Sequence, residues 1–152
     1  MREVDRLTTE KYGIPSILLM ENAAHAAANV IKEKLGGSVA GKSFLILCGK
    51  GNNGGDGAAL ARILELQDAK VFVNLLAKIE ETTSDANINF NILRLQKRND
   101  SNYRTWREFE EFQEFDKWKR TFIKYHRTNQ VDCIIDACFG TGPSKQIGRA
   151  HV

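Results

Sequence analysis

The chain has 152 residues, 42% apolar and 27% charged, which is the size and balance of one ordinary soluble globular domain with room for a proper core. A net charge of +3 is too small to argue for nucleic acid or a membrane surface, and no run approaches the roughly 18 apolar residues that a membrane span requires. Cys48, Cys133 and Cys138 are odd in number and lie in or beside apolar strand patterns, so they read as buried free thiols of a reducing, cytoplasmic compartment and not as a disulfide framework or metal site.

The first stretch, "MREVDRLTTEKYGIPS", has no apolar h-region and gives no secretory signal. Residues 2–11 form a short charged helix candidate, broken at "YGIPS" with Pro15 near the next helix start. Ser16 is placed to cap helix 17–35, which stops at Gly36-Gly37. That helix is apolar or alanine on nearly every side, with Asn22, His25 and Asn29 as a polar stripe, so it is expected to be mostly buried, by this domain or by a partner subunit.

Three buried-strand patterns follow: "SFLILC" (43–48), "VFVNLL" (71–76) and "VDCIID" (131–136). Helix 54–67 joins the first two, and helix 84–97 follows the second with Ser84 as its cap. Strand and helix in alternation predict a parallel α/β sheet with right-handed crossovers. Between 98 and 129, "YRTWREF" reads as an edge strand. The stretch "EEFQEFDKWKRTFIKYH" reads as an amphipathic helix with Phe112, Phe115, Trp118 and Phe122 facing inward. Its acids offset the basic residues between the aromatics, which disfavours nucleic acid.

The chemistry concentrates in two glycine loops. Five of the nine residues from Gly49 to Gly57 are glycine, and the loop leaves a strand and opens a helix. In open α/β sheets that junction binds ligands; helix-start amides favour a pyrophosphate, and glycines let the backbone approach it closely. Gly49 to Gly54 satisfies G-x-G-x-x-G, but the second strand carries Asn74 where a dinucleotide fold would supply a ribose-binding acid, so hydride transfer lacks a part. Asn52, Asn53 and Asp56 offer side-chain oxygens for a hard cation or a polar ligand, and would equally cap the helix and hold the turn. The second loop, "IIDACFGTGPSK", places Asp136 at a strand's carboxyl end. With parallel strands, Asp136 faces the same crevice near Asn53, or else satisfies its own turn.

"LMENAA" (19–24), "GKGNNGGDGAALAR" (49–62) and "DACFGTG" (136–142), in this order, resemble the signatures of the NAD(P)H-hydrate epimerase family, also called the YjeF N-terminal domain. The resemblance covers residues 1–146 and loosens through 98–129. It implies a Rossmann-like three-layer α/β fold, a parallel sheet with helices on both faces. It also implies a homodimer and an isomerase that interconverts the R and S epimers of hydrated NADH and NADPH, repairing a damaged cofactor. A companion ADP/ATP-dependent dehydratase is often fused to it. By the same likeness the substrate is held by Asn52, Asn53, Gly54, Gly55 and Asp56. Gly140, Thr141, Gly142, Pro143, Ser144, Lys145 and Gln146 line the rest of its pocket, and Asn53 with Asp136 binds a potassium ion.

Asp136 and Asp56 are the candidate catalytic carboxylates for acid–base help at the carbon bearing the hydroxyl. A non-catalytic, RNA-linked dimerisation scaffold of the same fold is the alternative. Ala24 stands where the family has glycine, and the family's next signature, an Asp-(Val/Ile)-Pro-Ser-Gly stretch, is absent. Residues 147–152, "IGRAHV", translate in frame from a common sequencing adapter and read as a non-native tail. The chain is therefore expected to be an impaired fragment, truncated at its C-terminus.

Overall fold

The apolar runs become a four-stranded, wholly parallel sheet in the order β3-β2-β1-β4. A computed structural model describes residues 2–96, 104–109, 114, 116, 117, 120 and 131–139. The strands are β1 (Ser43–Cys48), β2 (Lys70–Leu75), β3 (Arg104–Glu108) and β4 (Cys133–Ala137), and the helices α1 (Arg2–Tyr12), α2 (Ser16–Lys34), α3 (Asn52–Leu66) and α4 (Ser84–Leu95). A single 3-10 turn, Ile79–Glu81, lies between β2 and α4. The expected strand at 71–76 begins one residue earlier, the strand at 131–136 is shifted toward its carboxyl end, and "YRTWREF" supplies the edge strand β3.

Cross-strand register explains which side chains are core. Phe44, Ile46 and Cys48 share a face with Val71, Val73 and Leu75, and with Cys133, Ile135 and Ala137. Helix α3 lies on that face and is flanked by α2 and α4. Each large apolar side chain fully buried there contributes about 1.5–3 kcal/mol. Small residues let α3 sit close. A Cβ on Gly57 would come within 2.7 Å of the Ala137 Cβ and 2.9 Å of the Cys48 Sγ, and Ala58, Ala59 and Ala61 are buried beside it.

Two capping expectations are corrected. Ser16 and Ser84 each lie one residue inside their helices, and Pro15 and Thr83 occupy the cap positions without capping side-chain bonds. The Ser16 hydroxyl donates to the Asp85 carboxylate across α2 and α4. Helix α2 is also less buried within this chain than its composition suggests. Met20, Ala24 and Ala28 form one buried stripe, while Leu18 and Val30 are about half exposed, at 52% and 50%. Four turns of alanine and aliphatic residues are thus satisfied on one side only. The predicted stop at Gly36-Gly37 holds, because both residues have positive φ and the Gly37 amide donates to the Lys32 carbonyl at 2.8 Å.

Glu114, Asp116, Lys117 and Arg120 are helical, with Arg120 paired to Asp116, as expected for the stretch after β3. Phe112, Phe115, Trp118, Phe122 and residues 140–152, including the terminal six, lie outside the described residues.

Candidate active site at the carboxyl edge of the sheet

The strand order reverses at β1: the chain moves outward from β1 to β2 and β3, then returns to place β4 on the other side of β1. Ligands of open parallel sheets bind outside the carboxyl ends of the strands at such a reversal. The loops leaving β1 and β4 therefore frame one crevice. Their first residues are bonded together, since the Gly49 amide donates to the Ala137 carbonyl at 3.0 Å. The expectation that both glycine loops open on the same edge is met as far as Phe139.

The glycines of the first loop have a different reason from the one expected. A Cβ on Gly49 would lie 2.0 Å from the Cys138 carbonyl oxygen, and one on Gly54 would lie 1.7 Å from the Gly49 carbonyl oxygen. On Gly55 it would meet the Met20 Sδ at 2.7 Å and the Ala86 Cα at 2.9 Å. These glycines let the loop close on itself, on β4 and on the neighbouring helices. Among the described residues, Gly51 alone of the five has nothing within 4 Å of an added Cβ, so it is the position where a close ligand approach explains the glycine.

Asn52 and Asn53 occupy the first two positions of α3, exposed and half-buried, and Gly54 and Gly55 are buried beneath them. Asp56, one turn into α3, is half-buried. Burial, reinforced by the like charge of Asp5 on α1, pushes its carboxyl up to about 6. Asp136 is exposed at the end of β4, and its Oδ1 accepts the Cys138 amide at 2.9 Å, so the turn-holding alternative is realised in part. Asn53 and Asp136 offer an amide oxygen and a carboxylate oxygen from the same edge, a donor set that suits a hard cation. Among the described residues no group of three or more His, Cys, Asp or Glu could hold a metal.

All three thiols are free, with Cys48 buried and Cys133 and Cys138 half-buried. Burial raises all three, and Cys138, with Asp136 beside it, is pushed up to about 12, which disfavours the thiolate form in each. Asn74, which replaces the ribose acid, is 2% exposed within the sheet and cannot reach a ribose.

Two supports were missed in the sequence. Arg62 on α3 donates through Nη2 to Glu21 on α2 at 2.7 Å and to Asn89 on α4 at 2.6 Å. This bond, with Met20 against Gly55, joins the "LMENAA" segment to the glycine loop. Thr83 is the second: its amide donates to the Lys50 carbonyl at 3.0 Å and its hydroxyl to Asn52 Oδ1 at 2.8 Å. The pair Thr83-Ser84 ahead of the α4 pattern was the available signal, but the adjacent serine competes for the same cap.

A wholly parallel α/β sheet with a glycine-rich loop at its strand reversal places the chain among the Rossmann-like open α/β domains. The chain belongs to the family described as YjeF-related protein N-terminus, whose profile matches residues 16–152. It is 48% identical over 92 residues to the bifunctional NAD(P)H-hydrate repair enzyme Nnr of Moorella thermoacetica, covering 60% of this chain and 17% of that protein. It is 45% identical over 88 residues to the NAD(P)H-hydrate epimerase of Rhodopirellula baltica, covering 58% and 34%. The matches thus span well under half the length of these relatives. Among solved structures, yeast ynu0 (YNL200c) superposes with a TM-score of 0.65 at 26% identity, covering 93% of this chain and 55% of that one. Among the described residues no helix is long and apolar enough to cross a membrane.

Proposed function

We propose that this domain interconverts the R and S epimers of hydrated NADH and NADPH, as the names of its relatives suggest. The observation that carries this reading is the pair of carboxylates in unlike surroundings on one crevice edge. Asp56 is half-buried with its carboxyl pushed up to about 6, and Asp136 is exposed at the end of β4. Epimerisation breaks and remakes the bond from one ring carbon to its hydroxyl. A group titrating near neutrality serves both halves. Asp56 gives a proton to the hydroxyl oxygen as the C–O bond breaks and water leaves. Water then adds to the opposite face and returns a proton to Asp56.

Asn52, Asn53 and the loop amides bind the nucleotide, with Gly51 as the point of close backbone approach. Asn53 and Asp136 would hold a potassium ion, which when bound supplies a fixed positive charge to the crevice. Residues Gly140 through Gln146 complete the pocket on this reading.

The exposed Val4, Leu7, Tyr12, Ile14 and Leu18 on and between α1 and α2 support a homodimer built through these helices. Sedimentation equilibrium of the intact gene product tests that, and a monomer at high concentration would exclude it. Three free thiols suit a cytoplasmic location, and the bifunctional relative supports a fused dehydratase in the intact gene product.

The function is tested by following the pure S epimer of hydrated NADH, incubated with the intact gene product, by chromatography that resolves the two epimers. Appearance of the R form well above the uncatalysed rate is expected. Its absence, with and without potassium, would leave the non-catalytic scaffold as the better reading.

A further inference from the structure

The two adjacent asparagines that open α3 are not equivalent: among the described residues, only Asn52 has its side-chain oxygen hydrogen-bonded. Asn52 Oδ1 accepts the Thr83 hydroxyl at 2.8 Å. The same threonine donates its backbone amide to the Lys50 carbonyl at 3.0 Å. Thr83 therefore grips the loop on both sides of Gly51, the one glycine of the five with no described residue within 4 Å of an added Cβ. Thr83 is also the cap residue of α4, yet its side chain makes no capping bond to that helix. A threonine at a cap position normally accepts an amide from its own helix. Here its hydroxyl is turned to the neighbouring loop instead.

We propose that Thr83 is a positioning residue that fixes the Asn52 side chain with its Nδ2 amide toward the crevice. Asn52 then serves as a hydrogen-bond donor to an acceptor oxygen of the ligand and takes no part in holding a cation. This deepens the proposed function and rests on it for the identity of the ligand. The carbonyl end of an amide is the only end that can coordinate a cation, and in Asn52 the Thr83 hydroxyl already occupies one of that oxygen's two lone pairs. An asparagine held this way suits the phosphate or sugar oxygens of a nucleotide, which are acceptors. Its neighbour Asn53 is left to supply an amide oxygen. The division of labour between two identical side chains follows from one hydroxyl on a different helix.

The test compares Thr83→Val, which removes the hydroxyl at nearly constant shape, with Thr83→Ser, which keeps it, in the intact gene product. The expected result for Thr83→Val is a KM for hydrated NADH raised about tenfold with kcat within about twofold, the signature of lost uniform binding. Thr83→Ser should restore the wild-type KM, and the potassium dependence of the rate should be the same in all three proteins. A second readout needs no turnover: the Asn52 side-chain amide resonances of the ligand-free protein should shift in Thr83→Val and not in Thr83→Ser. If the wild type fails to epimerise while those resonances behave as stated, the epimerase reading falls and the positioning role stands. Unmoved Asn52 resonances in Thr83→Val would overturn the proposal. So would a Thr83→Ser protein as impaired as Thr83→Val, or a potassium dependence altered by the loss of the hydroxyl.

Discussion

The junction after β1 and the junction after β4 start at the same height in the sheet and are built in opposite ways. The first is closed: Gly49, Gly54, Gly55 and Gly57 leave no room for a Cβ, and Asp56 sits half-buried with a raised carboxyl. The second, as far as Phe139, is more exposed: Asp136 and Phe139 face solvent, and Asp136 holds its own turn through the Cys138 amide. The two carboxylates thus differ in burial, and burial is what raises the Asp56 carboxyl. Sequence position alone would have made them equivalent.

The comparison breaks most readily at the closed junction. Gly54→Ala forces a Cβ to within 1.7 Å of a backbone oxygen that cannot move without opening the loop. It should cost about 3 kcal/mol or more in urea unfolding, despite the better helix propensity of alanine. Gly51→Ala, with nothing within 4 Å, should change stability by no more than about 0.5 kcal/mol. Equal costs at the two glycines would show that the loop is not packed as described.

The support beneath the closed junction comes next. Glu21→Ala leaves the largely buried Arg62 guanidinium, whose side chain is 13% exposed, without its carboxylate partner. The expected loss is about 2 kcal/mol, and Glu21→Gln should recover part of it through the retained hydrogen bond.

Asp56 has a pH signature of definite sign. Its folded-state carboxyl lies at about 6, above the 3.8 of a free aspartate, so between those values the folded protein binds the extra proton. Stability from this group is therefore present at pH 4 and below and is lost as pH rises through about 6. Because the group is only half-buried, solvent screening reduces the expected loss to about 1 kcal/mol. Asp56→Asn should remove this fall from the unfolding free energy measured against pH, and Asp5→Asn should move it to lower pH. The smallest effect belongs to the more exposed junction: Asp136→Asn keeps an acceptor for the Cys138 amide and should shift stability by no more than about 0.5 kcal/mol.

Most of the architecture was legible because a parallel strand covered on its faces is a continuous apolar run. "SFLILC" marks β1 to the residue, and "YRTWREF" marks the edge strand even inside a stretch of mixed charge. The strand reversal at β1, which locates the crevice, was not legible, since no local pattern states on which side of β1 a later strand will pair. The helix caps were misplaced by one residue because Thr83-Ser84 and Pro15-Ser16 each offer two plausible starts, and tertiary partners decided between them. Asn52, Asn53, Asp56 and Asp136 were all readable as candidates. What separates their surroundings was not, because burial and the Thr83 hydroxyl set it. The glycines were read as room for a ligand, while four of the five are room for the loop's own backbone, the β4 junction, the strands beneath or the neighbouring helices.

The central claim is that Asp56 is the acid–base group of an epimerase, and the pH dependence of epimerisation by the intact gene product tests it most directly. The rate of approach to equilibrium from the pure S epimer of hydrated NADH should show an ionisation near 6. In Asp56→Asn the rate should fall about a hundredfold and that ionisation should vanish from the profile. An Asp56→Asn protein that keeps the wild-type rate and the same pH profile would contradict the account.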